Sequence, residues 1–301
     1  MAYSGKVEIV VGFACNNNCL FCSVGKRTEN KTTEQIKKEI LLAINNDFAE
    51  EINFTGGEPT IRKDFCELIT FARENGAKEV RVTTNGLMFS DKDFLDRAIA
   101  SGLTGAIFSL HGSNPETHDF LCNVKGAFEK AFKGLENASK TKLTLDVNFV
   151  LTKLNFKELP KLAELLRKNY RIRAMCVIFP DIDGNLAKNK WLIPTFSQVS
   201  KSVDTAASIL KDHGVTVWVM NMPPCSLKIN RECATCGQLR TRMYWFSMRV
   251  DLDAKIKDCC EKLEFCRNCC FADVCPGISK KYIAFRGLEK LTKVDLKWNG
   301  H

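Results

Sequence analysis

Residues 15–22 read CNNNCLFC and directly follow the run 7–14, VEIVVGFA. That run is apolar apart from Glu8 and predicts a strand, and the asparagines after it predict a turn. The thiols of Cys15, Cys19 and Cys22 therefore lie together where one strand ends. Soft thiolates select zinc or iron–sulfur clusters, and structural zinc takes a closed set of four ligands. Three cysteines on one loop instead leave a four-iron cluster with one iron that a small molecule can bind.

On the C-terminal side of this loop, strand-like and helix-like runs alternate, which is typical of a parallel sheet covered by helices. Short apolar runs predict strands at 7–14, 51–54, 79–83, 105–110, 143–151, 172–179 and 215–220. Helical periodicity predicts helices at 32–46, 65–74, 91–100, 127–138, 156–168 and 198–212. Thr33 is the expected N-cap of the first helix. We expect an α/β fold, a partial (β/α)6 TIM-like barrel over 1–220, with its ligand sites at the carboxyl ends of the strands.

Composition indicates a metal-binding protein rather than a membrane, secreted or nucleic-acid-binding one. The chain has 301 residues, 15 of them cysteine, and a formal net charge of +9. No run approaches the roughly 20 apolar residues of a membrane span, and no signal peptide precedes Cys15, so we expect a cytoplasmic protein without a membrane partner. Thiols stay reduced in that compartment, and clustered cysteines there predict metal binding rather than disulfides. Thiolate clusters would offset part of the positive charge, which leaves weak support for nucleic-acid binding.

The cysteine loop has the pattern C-x3-C-x-aromatic-C, with Phe21 at the aromatic position, and it resembles the signature of the radical S-adenosylmethionine (SAM) superfamily. The resemblance implies that Cys15, Cys19 and Cys22 hold a [4Fe–4S] cluster whose open iron binds SAM. It also implies reductive cleavage of SAM to methionine and a 5′-deoxyadenosyl radical, which abstracts hydrogen from a substrate. A zinc knuckle or chance spacing is the alternative interpretation.

Further motifs follow successive strands at places where family members contact SAM. The turn GGEP at 56–59 combines two glycines, which allow close approach of the backbone, with a carboxylate that can accept from an ammonium group. The turn TNG at 84–86 follows the next strand. For each motif alone, the alternative is an ordinary turn or a solvent-facing strand residue. The resemblance implies a SAM-binding set of Phe21, Gly56, Gly57, Glu58, Pro59, Asn85, Ser109 and Asn148.

One departure from the family pattern concerns a possible reactive thiol. Many relatives read H-D-x-x-R after the fourth strand, whereas residues 118–122 read HDFLC, with Cys122 in place of arginine. Cys122 is either a buried inert thiol or a residue that faces the cavity and takes part in the chemistry. His111 is the second catalytic candidate, against a structural histidine at a strand end. Cys176 lies in the barrel if its side chain points inward.

The composition changes after residue 220, and we expect a small cysteine-rich domain over 221–301. The pattern C-x2-C-x5-C at 266–275 resembles the SPASM and twitch extensions of the family, which carry auxiliary [4Fe–4S] clusters. No cysteine follows Cys275, so the resemblance implies at least one auxiliary cluster rather than two complete ones. A zinc site is the alternative, because C-x2-C pairs also occur in zinc ribbons. The candidate ligands are Cys225, Cys236, Cys259, Cys266, Cys269 and Cys275.

These observations predict a radical SAM enzyme that acts on a peptide, a protein or a small molecule. Its partners would be that substrate and an electron donor such as flavodoxin or ferredoxin. SPASM-type relatives mostly modify ribosomally made peptides or proteins, so the resemblance favours that substrate class. The competing hypothesis is a metal-stapled protein, holding zinc or iron–sulfur, that binds nucleic acid or carries electrons without SAM chemistry.

Overall fold

Seven parallel strands lie side by side in the order in which they occur along the chain. The structure is a computed structural model that describes residues 5–25, 27–234, 241–246, 248–288 and 291. The strands are β1 (Lys6–Val10), β2 (Glu51–Thr55), β3 (Glu79–Thr84), β4 (Gly105–Ser109), β5 (Thr144–Val150), β6 (Ala174–Ile178) and β7 (Thr216–Met220). The predicted partial barrel is confirmed, and β7 extends the sheet beyond β6. The first strand is shorter than predicted: Val11 N still donates to Thr55 O of β2, whereas the backbone of residues 12–14 bonds to loop residues 29, 57 and 58.

The two faces of these strands differ in the polarity of their side chains. Val7 and Ile9 are fully buried under the helices, whereas Glu8 between them faces the barrel interior, near Asn53 and Cys176. Arg81 donates to Asp146 Oδ2 across the interior at 2.6 Å. The absence of a side chain at Gly105 makes room for Arg81, because a Cβ there would lie 2.7 Å from the guanidinium Nε. The barrel interior is therefore polar, unlike the largely apolar layer beneath the helices.

Amphipathic helices cover the outer face of the sheet, and two short ones lie against the cysteine loop. They are α1 (Thr33–Asp47), α2 (Phe65–Glu74), α3 (Lys92–Ala100), α4 (Pro115–Cys122), α5 (Ala127–Ser139), α6 (Leu159–Asn169), α7 (Gly184–Lys188) and α8 (Phe196–Lys211). The sequence predicted all of these except α4 and α7, which are too short for clear periodicity. Within the described ranges, no helix combines the length and apolar character needed to cross a membrane.

The N-cap predicted for α1 is wrong by one residue. The Thr32 side chain accepts from the Gln35 backbone N–H, and the Gln35 side chain accepts from the Thr32 backbone N–H, which forms a capping box. Thr33 instead donates its hydroxyl to Asp64 at 2.7 Å. Neighbouring threonines gave equal sequence signals, and only the position of Gln35 three residues after Thr32 separates them.

The C-terminal segment rejoins the barrel through its sheet. Strand β8 (Thr241–Trp245) pairs parallel with β1, and β9 (Met248–Asp251) pairs antiparallel with β8. Asp47, at the end of α1, is fully buried and accepts hydrogen bonds from Arg242, Tyr244 and Arg249 at 2.6–2.9 Å. The remaining described elements are α9 (Leu252–Cys259), β10 (Cys260–Glu261), β11 (Ile278–Ser279) and α10 (Lys280–Arg286). The cysteine-rich segment is thus tied to the barrel.

Candidate active site at the carboxyl ends of the strands

The cysteine loop after β1 is held on one side by the end of α4. The amide of Asn18 donates to the carbonyl of Cys122 at 3.1 Å, and the amide of Leu20 donates to the carbonyl of Leu121 at 2.9 Å. These two bonds lie on either side of Cys19. The loop therefore has a defined backbone position that does not depend on its sulfur atoms.

The segment after β6 holds the other side of the same loop. Asn185 donates from its backbone N to Cys22 O at 2.8 Å and from Nδ2 to Cys19 O at 2.9 Å. Asn189 donates from Nδ2 to Leu20 O at 3.1 Å. Two asparagines from one short helical segment thus donate to three carbonyls of the cysteine loop, one of which, Cys19 O, also accepts from Cys22 N.

The GGEP turn lies directly against the residues that lead into the cysteine loop. Gly57 N donates to Gly12 O and Glu58 N donates to Ala14 O, both at 2.8 Å. A Cβ at Gly56 would overlap the carbonyl oxygen of Gly12, and one at Gly57 would overlap that of Ala14. Only glycine allows this close approach. The two motifs expected to share one SAM site are therefore in contact.

Glu58 joins this turn to the TNG turn after β3. Its side chain is 2% exposed. Oε1 accepts from Thr60 N at 3.1 Å and Thr84 Oγ1 at 2.8 Å, and Oε2 accepts from Asn85 N at 2.6 Å. Burial raises the pKa of Glu58, and these donors counteract that rise. Asn85 Nδ2 in turn donates to Asn16 Oδ1 at 2.6 Å, so three turns at the rim form one connected unit.

The three loop thiols are neighbours in surroundings that suit metal-bound sulfur. Asn17 N donates to Cys15 Sγ at 3.4 Å. Burial raises the pKa of Cys15 to about 12, and Glu58, Cys19 and Cys22 add to the rise. Bound iron supplies the opposite charge and deprotonates the thiols that coordinate it. Among the described residues, no three His, Cys, Asp or Glu side chains meet around a single metal ion. Three neighbouring sulfur donors supported by backbone N–H groups fit the protein side of a cluster with an open iron.

The predicted polar residues on β4 and β5 lie next to each other inside the barrel. The register pairs Ser109 with Asn148 and Asn148 with Cys176, and all three side chains are half-buried. Burial raises the pKa of Cys176 to about 12, and the nearby carboxylates of Asp146 and Glu8 add to the rise. Cys176 therefore points into the barrel, beside the residues expected to contact SAM.

Two predicted site residues, Phe21 and His111, are buried against each other. Phe21 is 7% exposed and lies edge-on against His111, with ring centroids 4.5 Å apart. His111 Nδ1 accepts from Val150 N at 3.2 Å, and His111 O accepts from Asn155 Nδ2 at 2.9 Å. Burial holds the pKa of His111 well below its usual range, and the neighbouring His118 lowers it further. The structural alternative for His111 accounts for these contacts.

Four cysteines of the C-terminal segment line one cavity. Cys225 follows β7, and Cys266, Cys269 and Cys275 lie between β10 and β11. Burial raises the pKa of Cys225 to about 12, and the other three thiols add to the rise, so all four are neighbours. The rest of the wall is largely apolar and includes Pro223, Pro224, Phe265, Phe271 and Ile278. Four thiols in apolar surroundings fit a fully ligated cluster or a structural zinc ion.

Three further predicted residues remain, of which one lies outside the described residues. Cys259 is exposed at the end of α9 and is not among the residues that line the four-cysteine cavity. Cys236 falls outside the described residues. Pro59 is buried and begins a short 3-10 helix, Pro59–Ile61, that Glu58 caps.

Sequence reasoning missed the polar residues that hold the loops together. Thr60 directly follows the GGEP turn and Thr84 is the first residue of the TNG turn, so a search for hydroxyl donors to Glu58 within and beside these motifs could have found their role. Asn185 and Asn189 carry no such signal, because they lie more than 160 residues from the carbonyls that they bind.

A parallel barrel that carries a three-thiol loop in contact with a glycine turn defines an iron–sulfur enzyme of the TIM-like class. The family model for the radical SAM superfamily matches residues 9–166, and the chain belongs to this superfamily. Its members are enzymes that use a [4Fe–4S] cluster and SAM. The predicted family, enzyme class and cofactors are therefore confirmed, and the cysteine-rich C-terminal region fits a SPASM-type extension.

Curated relatives match about half of the chain. The Fe-coproporphyrin III synthase of Methanosarcina barkeri (strain Fusaro / DSM 804) is 32% identical over 165 residues, which cover 54% of this chain and 40% of that protein. The probable GTP 3′,8-cyclase of Methanocaldococcus jannaschii is 30% identical over 166 residues, which cover 54% of this chain and 55% of that protein. The match thus spans about half the length of these relatives.

Solved structures match over more of the chain. Streptococcus suis SuiB bound to S-adenosylmethionine has a TM-score of 0.67 at 13% identity, covering 97% of this chain and 76% of that chain. SuiB bound to the precursor peptide SuiA gives the same TM-score and identity, with coverage of 98% and 76%. Methylornithine synthase (PylB) has a TM-score of 0.56 at 16% identity, covering 72% and 64%. At these identities the likeness establishes the fold.

Proposed function

We propose that Cys15, Cys19 and Cys22 hold the SAM-binding cluster and that this chain abstracts hydrogen from a substrate in the polar barrel interior. When bound, the cluster and SAM supply a 5′-deoxyadenosyl radical by one-electron reductive cleavage. The observation that carries the proposal is the hydrogen bonding of the GGEP turn to Gly12 and Ala14, which lead into the cysteine loop, and of the TNG turn to the loop itself through Asn85 and Asn16.

The residues of this chain would bind and orient SAM at that rim. Gly56 and Gly57 are half-buried and carry no side chain that would block close contact between their backbone and its amino-acid part, and Glu58 keeps the TNG turn beside it. Ser109 and Asn148 offer side-by-side hydrogen-bonding groups on the inner face for its sugar or carboxylate. The packing of α4 and α7 on the cysteine loop keeps the site closed on its outer side.

Reductive cleavage is tested with anaerobically reconstituted protein, SAM and dithionite. We expect 5′-deoxyadenosine to form, and Cys19→Ala to abolish it. Cys66→Ala is the matched control, because Cys66 lies in α2 and is not among the thiols of either site. Unchanged cleavage by Cys19→Ala would contradict the ligand assignment. Bound zinc with salt-dependent affinity for RNA or DNA and no cleavage would favour the competing hypothesis.

For the substrate, we propose a peptide or protein. The fold likeness to SuiB extends through the cysteine-rich segment, and one of those structures holds a precursor peptide. A small molecule is the second candidate, because the curated relatives named for small-molecule chemistry match in sequence. The test is incubation with deuterated candidate peptides, starting with any short precursor encoded beside the gene. Deuterium in 5′-deoxyadenosine and a mass change in the peptide are expected, and deuterium from a small-molecule candidate alone would overturn the assignment.

For the auxiliary site, we propose one [4Fe–4S] cluster held by Cys225, Cys266, Cys269 and Cys275. Four thiols leave no iron open, so this cluster would accept an electron from the substrate radical rather than bind the substrate. Residues 221–301 would thus handle electrons, and residues 1–220 would carry out SAM chemistry. Cys266→Ala should lose up to about four irons per chain and keep SAM cleavage without substrate turnover. Zinc in place of that iron would contradict the proposal.

The electron for cleavage must come from a partner. We propose a flavodoxin or ferredoxin in the cytoplasm, where reduced thiols persist. The test replaces dithionite with each purified carrier and its reductase. Formation of 5′-deoxyadenosine with at least one carrier is expected, and a failure of both while dithionite succeeds would contradict this choice of partner.

A further inference from the structure

The inner face of the barrel surrounds a space that solvent can reach. On β4 and β6 the outward-facing side chains are fully or almost fully buried, whereas the inward-facing Ile107 and Cys176 are only half-buried. The same alternation occurs on β1, where Val7 and Ile9 are fully buried and Glu8 between them is half-buried. Because alternate residues of a strand point to opposite faces, the more exposed set lines the interior. The barrel therefore has room for a ligand between its strands.

Glu8 is a carboxyl group on this inner wall that lacks a charged partner. Two other inward-facing acids on neighbouring strands are paired: Glu51 with Lys6 at 3.5 Å, and Asp146 with Arg81 at 2.6 Å. Within the described ranges, no lysine, arginine or histidine forms an ion pair with Glu8. Buried or partly buried carboxylates are normally paired, because removal from water is costly for an unpaired charge. Glu8 thus presents an unmet demand for a cation to the barrel interior.

Asn53 adds a second unused acceptor beside it. The register pairs Asn53 with Glu8, so both side chains lie on the inner face of adjacent strands. Asn53 is 4% exposed, and its Nδ2 donates to Thr83 Oγ1 at 3.0 Å. Its Oδ1 is buried and accepts no hydrogen bond from the part of the chain that the structure describes. Buried polar atoms of this kind are rare, and each indicates a missing partner or a functional role. The missing partner at this wall is a donor.

We propose that Glu8, with Asn53 beside it, forms a substrate subsite for a cationic nitrogen group, either an ammonium or a guanidinium. The proposal rests on the proposed function, because it takes the barrel interior to hold the substrate. An ammonium carries three N–H donors and a guanidinium five, so either supplies both the charge and the donors that the wall lacks. For the proposed peptide substrate, this group is the side chain of a lysine or an arginine.

The depth of Glu8 suits a subsite below the reacting carbon. Glu8 lies two residues, roughly 7 Å, before Val10 at the carboxyl end of β1. SAM is proposed to bind at that end, next to Ser109 and Asn148. A nitrogen bound at Glu8 would leave room for the carbon atoms attached to it between the subsite and the rim. Glu8 would therefore determine which side chain enters the barrel, and the hydrogen atom would be removed nearer the rim.

The test is a ligand-observed NMR titration of the anaerobically reconstituted holoenzyme with SAM at pH 8. The probes are n-butylammonium and n-butylguanidinium, compared with n-butanol, which has the same chain length and no charge. Burial raises the pKa of Glu8 to about 7, so its carboxyl is ionised at pH 8, where both cations keep their proton. At least one cation should bind about tenfold more tightly than n-butanol. The preferred cation distinguishes a lysine substrate from an arginine substrate.

Glu8→Gln should abolish the preference for the cation, whereas Glu67→Gln, at a surface carboxylate, should keep it. Glu8→Gln removes a charge that burial disfavours, so a loss of binding does not reflect a loss of folding. Should this variant nevertheless fail to fold, Glu8→Met removes the charge at similar side-chain length and is measured instead.

Three outcomes would overturn the proposal: no binding of either cation to wild type, equal affinity for the cations and n-butanol, or a cation preference that survives the loss of the Glu8 charge. The titration requires no radical chemistry. Failure of wild type to form 5′-deoxyadenosine from SAM would refute the proposed function, and it is therefore distinguishable from a failure of this subsite.

Discussion

Replacing Glu58 by glutamine tests whether the rim of the barrel is one connected unit. The carboxylate accepts from Thr60 and Thr84 through Oε1 and from Asn85 through Oε2. A glutamine amide has one accepting oxygen, so either the threonine donors or the Asn85 amide loses its acceptor and faces an NH2 group. The substitution therefore breaks the link between the two turns whichever way the amide is oriented.

The size of the effect follows from these contacts. A hydrogen bond to a charged group contributes about 1.5–3 kcal/mol, and a buried donor left without a partner costs about 1–3 kcal/mol. We expect Glu58→Gln to lower the free energy of unfolding by about 2 kcal/mol. If the same amount is needed to return the TNG turn to its place on binding, SAM affinity falls about 30-fold.

The assays are urea unfolding without SAM and anaerobic calorimetry of SAM binding to the reconstituted protein. Glu67→Gln is the control, because its carboxylate pairs with Lys37 on the surface with 56% of its side chain exposed. Thr84→Val removes one donor and should shift the unfolding midpoint in the same direction by a smaller amount. A Glu58→Gln protein as stable as wild type that binds SAM within twofold would refute the reasoning.

Three further substitutions test other parts of the structure. Burial raises the pKa of Glu8 from 4.5 to about 7. The folded state therefore binds a proton that the unfolded state releases, and stability should fall as pH rises from about 5 to about 7. Glu8→Gln should flatten that dependence and be more stable than wild type at pH 8 by up to about 3 kcal/mol in urea unfolding. A free energy of unfolding that changes with pH in the variant as it does in wild type would contradict this. Gly57→Ala should abolish SAM binding, because its Cβ would overlap Ala14 O. Gly126→Ala is the control: at φ +77° in open space it should cost only about 1 kcal/mol in thermal unfolding. Equal effects of the two substitutions on SAM binding would argue against a role for the contact between Gly57 and Ala14. Asn185→Ala removes the hydrogen bond to Cys19 O and should lower the iron retained at the cysteine loop, measured by iron analysis. Full retention of iron would show that this bond does not hold the loop in place.

Local patterns in the sequence were enough for most of the fold. The bounds of α2, 65–74, agree with the prediction, and β2 to β7 lie where short apolar runs end in turns. These features depend on neighbouring residues, so periodicity and turn residues reveal them. The cysteine spacing and the GGEP turn likewise indicated the family before any contact was known, because each motif is contiguous in the chain.

The arrangement of the site depended on partners far apart in the chain. Glu58 is identified by its motif, yet the saturation of its carboxylate by Thr84 and Asn85 appears only when β2 and β3 lie side by side. Burial of Phe21 and His111 against each other likewise follows from packing, which a one-dimensional pattern does not encode.

The sequence by itself determined the alternating α/β fold, the thiol loop and the radical SAM family, because spacing along one strand and its turn is a local property. Only the tertiary structure decided that Cys122 lies beside Cys19 and that four cysteines from separate segments line one cavity. The physical reason is that ligand sets and hydrogen-bond chains depend on distances in space, which the packing of whole helices on the sheet sets.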